Sequence, residues 1–184
     1  MNEPIAAWHA DHVNFGRLLD LLEKQVAVFH AGERPDYELM LDIMSYLRHY
    51  PDRFHHPRED AVFARLGARD AGLRAQINRL TQEHRVLATA GEALLERLNE
   101  AIDEQVVTRE AIEAAAATYL VYYRAHLAAE EKDILPRAAE LLTREDWAAV
   151  AAAAPAGRDP LFGEEAEERY RELRRQIALE ARPG

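Results

Sequence analysis

The sequence contains no cysteine. Disulfides, thiolate metal sites, iron–sulfur clusters and cysteine nucleophiles are therefore excluded, and any bound metal must use nitrogen and oxygen ligands. The chain also lacks an apolar run that approaches the ~20 residues of a membrane-spanning helix. Its N-terminus has neither the basic start nor the apolar stretch of a secretory signal. We therefore expect a cytoplasmic protein that does not enter a membrane.

Basic residues are outnumbered, with 23 lysines and arginines against 33 aspartates and glutamates and a net charge of -10. This balance argues against a nucleic-acid partner. Strand-favouring residues are thinly spread, whereas alanine, leucine, glutamate and arginine are abundant, which favours an all-α protein. A chain of 184 residues suits one domain, or a compact bundle of about 140 residues with an appendage.

Apolar residues recur every three or four positions along four long segments, as on the buried face of a helix. The first segment covers about 5–29. The second begins at the N-cap Asp36 and ends at Gly67, and Pro51 and Pro57 should bend it. The third covers about 71–103, and the fourth begins at the N-cap Thr108 and reaches Pro136. We predict an up-down-up-down four-helix bundle over residues 1–142.

Residues 143–184 are predicted to form a short C-terminal helical extension. Thr143 with Asp146 resembles a capping pattern that opens an alanine-rich helix, and Pro155 and Gly157 should close it. A charged helix follows, and its apolar residues step by three and four. This face should pack on the bundle or on a partner chain, which could be a second copy in a homodimer. The apolar residues of this last helix are Tyr170, Leu173 and Ile177.

Histidines interrupt the apolar faces. His12 continues the apolar face of the first helix, and His84 continues that of the third helix. The apolar face of the fourth helix carries His126 and Glu130, which are four positions apart. The second helix has the same spacing in His55 and Glu59, so each pair projects from one side of its helix.

Burying an unpaired carboxylate costs several kcal/mol, and no lysine or arginine lies in these faces. A metal is the remaining partner, and mixed imidazole and carboxylate ligands suit iron, manganese or zinc. Four imidazoles with two carboxylates are too many for one tetrahedral zinc. They suit two metals about 3.5–4 Å apart, bridged by the carboxylates and with positions open for a small ligand.

The motif blocks are His-Ala-Asp-His at 9–12, His-His-Pro-Arg-Glu-Asp at 55–60, Glu-His at 83–84 and His-Leu-Ala-Ala-Glu-Glu at 126–131. In this order, over about residues 5–142, they resemble the hemerythrin-like, or HHE cation-binding, family. The resemblance implies two non-haem iron ions joined by an oxo or hydroxo bridge, with Glu59 and Glu130 bridging as well. The iron ligands that it implies are His12, His55, Glu59, His84, His126 and Glu130.

The sequence departs from the oxygen-carrying hemerythrins in two places. Those proteins have a second histidine four positions after the one on the third helix, where this chain has Ala88, and they end with His-x4-Asp instead of His-x3-Glu. We therefore expect no reversible oxygen carriage. Related members are linked to iron sensing, peroxide removal, and nitric oxide or iron-centre repair chemistry.

The first hypothesis is a di-iron protein that binds or reacts with dioxygen, hydrogen peroxide or nitric oxide, with slow catalase-like activity. The second is a non-enzymatic iron- or oxygen-responsive binding module, and the third is a bundle with one structural zinc.

Further candidates flank the predicted ligands. His9 lies beside the first apolar face and His56 adjoins His55, so both are candidates for an additional ligand or for a neighbour of one. Tyr123 should face the metals and either bond a ligand carboxylate or gate access. Glu131 stands one helical step, about 100°, from Glu130 and should face solvent.

Overall fold

The computed structural model describes residues 3–103, 105–154 and 157–180, and within them every regular element is helical. This confirms the all-α prediction. None of these helices is both long and apolar enough to cross a membrane. The α-helices are α1 (Glu3–His30), α2 (Tyr37–Tyr50), α3 (His56–Arg69), α4 (Arg74–Ile102), α5 (Arg109–Ala129), α6 (Leu135–Leu141), α7 (Arg144–Ala153) and α8 (Arg171–Glu180).

Three predicted helix starts are confirmed by their caps. Asp36 accepts a hydrogen bond from the Leu39 amide, and Thr108 accepts one from the Ala111 amide. Thr143 and Asp146 form a reciprocal capping box at the start of α7. Each of these side chains satisfies an amide that the helix itself leaves unbonded.

A π-helical turn, Pro51–His55, joins α2 to α3. The His56 amide donates to the Pro51 carbonyl, five residues back, and the next residue is Pro57, which has no amide hydrogen. The prolines therefore do not break the predicted second helix. They place a π turn in it, a feature often found at functional sites.

The predicted fourth helix contains a matching irregularity. A second π turn, Glu130–Ile134, joins α5 to α6. The Leu135 amide donates to the Glu130 carbonyl, and Pro136 follows directly. Both π turns thus lie beside a predicted metal ligand.

The second predicted helix does not end at Gly67. It runs to Arg69, and a 3-10 turn, Ala71–Leu73, precedes α4. Among the described glycines only Gly32 has a positive φ, so Gly67 does not adopt the left-handed conformation that commonly ends a helix. Asp70 instead caps the next turn by accepting from the Gly72 amide.

Two apolar clusters form the core, and the histidines lie between them. Phe15 belongs to the larger cluster, and Trp8 and Phe63 belong to the smaller one. The ring centroids of Phe15 and His55 are 4.9 Å apart, and those of Phe63 and His84 are 5.9 Å apart. Apolar side chains therefore shield the histidines from water on two sides.

The chain after α7 folds back onto the larger cluster. Tyr170 and Leu173 are buried within it. The Tyr46 hydroxyl donates to Asp159 over 2.9 Å. The helix α7 ends at Ala153, and the predicted role of Pro155 falls outside the described residues.

Candidate metal centre

Two glutamates occupy the centre of the histidine cluster. The side chain of Glu59 is 2% exposed and that of Glu130 is fully buried. In the described chain, the basic side chains within 4 Å of their oxygens are all histidines. Among the described residues, no lysine or arginine therefore neutralises either carboxylate.

Glu59 lies between imidazoles on either side. Its Oε1 is 3.3 Å from His12 Nε2 and 2.7 Å from His55 Nε2. Its Oε2 is 3.2 Å from His84 Nε2. One oxygen thus faces the pair His12 and His55, and the other oxygen faces His84.

Glu130 has the same relation to its neighbours. Its Oε2 is 3.3 Å from His12 Nε2, and its Oε1 is 3.4 Å from His126 Nε2. Each carboxylate therefore spans two groups of imidazoles, as a carboxylate bridge between two cations requires.

His56 lies inside this cluster, although the sequence made it only an additional candidate. Its ring stacks on that of His84 with centroids 4.3 Å apart. Its ligand atoms lie within 4.8 Å of those of Glu59, His84 and His126, and His12, His55 and Glu59 form a second such group. The cluster therefore holds five imidazoles, whereas the sequence indicated four.

Each of these five histidines has an outer carboxylate beside its Nδ1 atom. The distances are 2.9 Å for His12 to Glu131, 2.9 Å for His55 to Asp11, 3.0 Å for His56 to Asp52, 3.2 Å for His84 to Asp60 and 3.0 Å for His126 to Glu83. A proton on Nδ1 is attracted outward in this arrangement, and Nε2 is left with its lone pair. This is the tautomer that binds a metal, and the outer partner fixes the ring orientation.

The outer carboxylates were not assigned from the sequence, although a signal was present. Asp11 and Asp60 lie within the motif blocks, and Glu83 and Glu131 each stand next to a predicted ligand. Spacing along one helix does not identify their partners, because His55 and Asp11 are 44 positions apart.

Several buried polar atoms at the centre have no hydrogen-bond partner. Leaving such an atom unsatisfied costs about 1–3 kcal/mol, and more for a charged group. The short contacts that these particular atoms make do not relieve this cost, since they lack hydrogen-bond geometry. A cation at the centre would engage these atoms together. They are Nε2 of His55, His84 and His126, Oε2 of Glu59 and both side-chain oxygens of Glu130.

The two central carboxylates differ in their electrostatics. Burial, with the nearby charge of Glu59, raises the pKa of Glu130 to about 8. Burial would also raise the pKa of Glu59, but the charge of His55 and hydrogen bonds from neighbouring imidazoles hold it well below its usual value. Without a cation, the cluster therefore keeps two carboxylates close together by means of bound protons.

The imidazoles divide in the same way. Burial lowers the pKa of His56 to about 3 and that of His126 to about 4. Burial would lower the pKa of His84 too, but the carboxylates of Asp60 and Glu59, each 3.2 Å from a ring nitrogen, raise it to about 10. A cation that binds here would displace the protons on the cationic rings, as metal binding to histidine generally does.

Glu131 does not simply face solvent as predicted. Its carboxylate lies 2.9 Å from Nδ1 of both His12 and His9. The 100° step of an α-helix does not hold here, because the backbone is π-helical from Glu130 onward. His9 is 48% exposed and lies outside the cluster, where it contacts this outer carboxylate.

Two aromatic residues offer polar groups to the cluster. The Trp8 indole donates to His12 Nε2 over 2.9 Å, and a cation at that nitrogen would replace this bond. The Tyr123 hydroxyl is buried and has no partner in the described structure. Burial, with the charges of Glu59 and Glu130 adding, raises the pKa of Tyr123 well above its usual value, so the hydroxyl keeps its proton.

A surface pocket of about 280 Å³ leads to the cluster, and His56 and His84 contribute to its wall. Ala88 lines the same pocket. His56 thus supplies an imidazole beside Ala88, the position on the third predicted helix at which the sequence lacks a second histidine.

The family model described as the hemerythrin HHE cation binding domain matches residues 3–138. This span includes both π turns and all five clustered histidines, and it stops before α7. Comparison with curated proteins and with solved structures finds no significant match.

Proposed function

The chain belongs to the hemerythrin HHE cation-binding family, and from this premise we propose that the buried cluster holds two non-haem iron ions which bind or react with a small oxidant. The four long helical stretches, α1, α2 with α3, α4, and α5 with α6, would form an up-down-up-down bundle around the metals. Dioxygen, hydrogen peroxide and nitric oxide are the candidate ligands.

The observation that carries this proposal is the orientation of the five imidazoles. Each has an outer carboxylate at Nδ1, and Nε2 of all but His56 lies 2.7–3.4 Å from an oxygen of the two central carboxylates, which span two groups of imidazoles. One group has His12 and His55, and the other has His56, His84 and His126. With one oxygen from each glutamate, the groups would supply four and five donors, and neither reaches the six of an octahedral ion. Room for a small ligand therefore remains.

Iron in such a nitrogen and oxygen donor set would supply redox chemistry with small oxidants. The protein's contribution is to hold the donors and to limit access. Phe15 and Phe63 pack against the histidines and exclude bulk water, and the pocket of about 280 Å³ beside Ala88 has room for a small molecule. The Tyr123 hydroxyl would donate a hydrogen bond to the ligand, since it keeps its proton and has no other partner among the described residues.

Metal analysis of protein produced with ample iron tests the metal assignment. We expect about two irons per chain with the near-ultraviolet absorption of a bridged di-ferric pair. One zinc per chain would reject the assignment in favour of a structural zinc.

The reactivity is tested by mixing the reduced protein with hydrogen peroxide and, separately, with nitric oxide. Slow peroxide disproportionation or a nitrosyl spectrum is the expected result. A stable oxygen adduct that is released under vacuum would instead identify an oxygen carrier. The Tyr123→Phe variant should keep its metal content but bind azide, a small anionic probe, more weakly, and unchanged azide affinity would remove the role of the hydroxyl.

A second candidate is a non-enzymatic, metal-responsive module. It is favoured by a contact between the π turn that carries His55 and the C-terminal segment. Phe54 precedes His55 in the chain, and Gly157 packs closely on the Phe54 ring. A Cβ added at Gly157 would lie 2.4 Å from that ring. Metal occupancy could alter this contact. Loaded protein that neither consumes peroxide nor binds nitric oxide, and whose C-terminal segment becomes sensitive to protease when metal is removed, would support this second function.

A further inference from the structure

We propose that a second pocket, between the π turn Pro51–His55 and the C-terminal segment, binds a small organic phosphate. This pocket is separate from the metal cluster, and the proposal does not depend on which metal is bound. One wall of the pocket lies within the residues matched by the family model and includes Tyr50, Arg53 and Phe54. The other wall lies beyond the matched residues and includes Arg158 and Arg169.

Three arginines line this pocket in a protein whose net charge is -10. Within the described residues, none of them lies within an ion-pair distance of a carboxylate. Arg53 lies over the Phe54 ring, Arg169 lies over the Tyr170 ring, and Arg158 donates to the Glu165 backbone carbonyl. Their guanidinium groups therefore retain charge and donors for an anion.

Acidic groups lie near the pocket as well as in its lining, and Asp42 is close enough to Arg169 for that positive charge to oppose the effect of burial, which raises the pKa of Asp42. Glu167 is the one carboxylate among the described lining residues. Asp159 is close by, but its oxygens are already used by the Tyr46 hydroxyl and by the amides of Leu161 and Phe162. Among the lining residues themselves, three guanidinium groups stand against one carboxylate, which leaves the lining net positive.

The size and lining of the pocket indicate an organic anion. Its volume is about 350 Å³, within the range of small-molecule sites and larger than one phosphate group needs. Tyr50, Phe54 and Tyr170 supply aromatic surface on which a planar group can pack. Arginine pairs with phosphate through two parallel hydrogen bonds, which favours phosphate as the anionic group.

The C-terminal wall is held in place by specific bonds. Asp159 fixes the turn at Leu161 and Phe162, and the Glu167 amide donates to the Pro160 carbonyl over 2.8 Å. The opposite wall is part of the π turn that carries His55. A phosphate ligand would thus bind between two constrained segments, next to the backbone of a metal-cluster histidine.

Calorimetric titration with phenyl phosphate tests this site, on the protein as purified and after metal removal by a chelator. We expect saturable binding of one molecule per chain in both forms, with lower affinity for inorganic phosphate. Replacing two of the three exposed arginines, Arg53→Gln with Arg169→Gln, should weaken binding about tenfold or more, because each substitution removes charged hydrogen bonds.

The control is Arg144→Gln, which removes the same charge from an exposed position on α7 outside the pocket. It should leave the affinity unchanged, and circular dichroism should show that the double variant is folded. Absence of saturable binding would overturn the proposal, as would binding that survives the double substitution. Binding that disappears with the metal would assign the phosphate to the metal cluster instead, and equal affinity for inorganic phosphate would exclude an organic ligand.

Discussion

Asp11→Asn should weaken metal binding although Asp11 lies outside the central cluster. The Oδ2 atom of Asp11 is 2.9 Å from His55 Nδ1 and 3.2 Å from an Arg58 nitrogen. Asparagine preserves the shape and can still accept the His55 hydrogen bond. Asparagine does, however, remove the negative charge of Asp11. That charge makes His55 Nε2 a stronger electron donor toward a cation, so its loss should weaken metal binding.

The size of the effect follows from the bond that is changed. A hydrogen bond to a charged group contributes about 1.5–3 kcal/mol and one between neutral groups about 0.5–1.5 kcal/mol. The difference of about 1–1.5 kcal/mol corresponds to roughly tenfold in affinity. This value falls at the lower end of the 10–100-fold range for residues that support a metal ligand.

Metal transfer to a chelator of known affinity measures this change. The matched control is Asp20→Asn on the same helix, since Asp20 also pairs with an arginine, Arg124, but its side chain is 60% exposed. We expect Asp11→Asn to release metal at about tenfold lower chelator concentration and Asp20→Asn to match the unaltered protein. Equal retention by both variants would refute the argument that Nδ1 partners tune the cluster.

Two further predictions concern His56 and the C-terminal segment. His56→Leu should reduce the metal content, measured by elemental analysis, from about two per chain to about one. The control His49→Leu alters an exposed histidine bonded to a backbone carbonyl and should retain both metals. Full metal content in His56→Leu would show that His56 is not a ligand. Gly157→Ala should lower the unfolding temperature in a calorimetric scan, because the new Cβ would overlap the Phe54 ring and overpacking costs about 1–3 kcal/mol. Gly16→Ala meets open space within α1 and should raise that temperature, and an increase in both variants would contradict the close packing of Gly157 on Phe54.

The sequence by itself determined the elements and the chemistry of the donors. The spacing of apolar residues and the helix caps located the long helical segments, because apolar residues on a buried helix face recur every three to four positions whatever the helix packs against. The absence of cysteine restricted any metal to imidazole and carboxylate ligands. Four histidines lie on or beside the apolar helix faces, so their side chains point inward once the helices pack. They are His12, His55, His84 and His126.

Tertiary structure decided the relations between segments distant in the chain. The fifth imidazole, His56, enters the cluster at the junction of a π turn and α3, where the regular helical step used to read the sequence no longer holds. The outer partner of His55 comes from α1, and the wall opposite Arg53 comes from the C-terminal segment. A sequence pattern records which face of a helix is buried, but it carries no information on which atoms of a neighbouring helix that face contacts. Those contacts between helices set the charge of the cluster, the tautomers of its histidines and its open coordination positions.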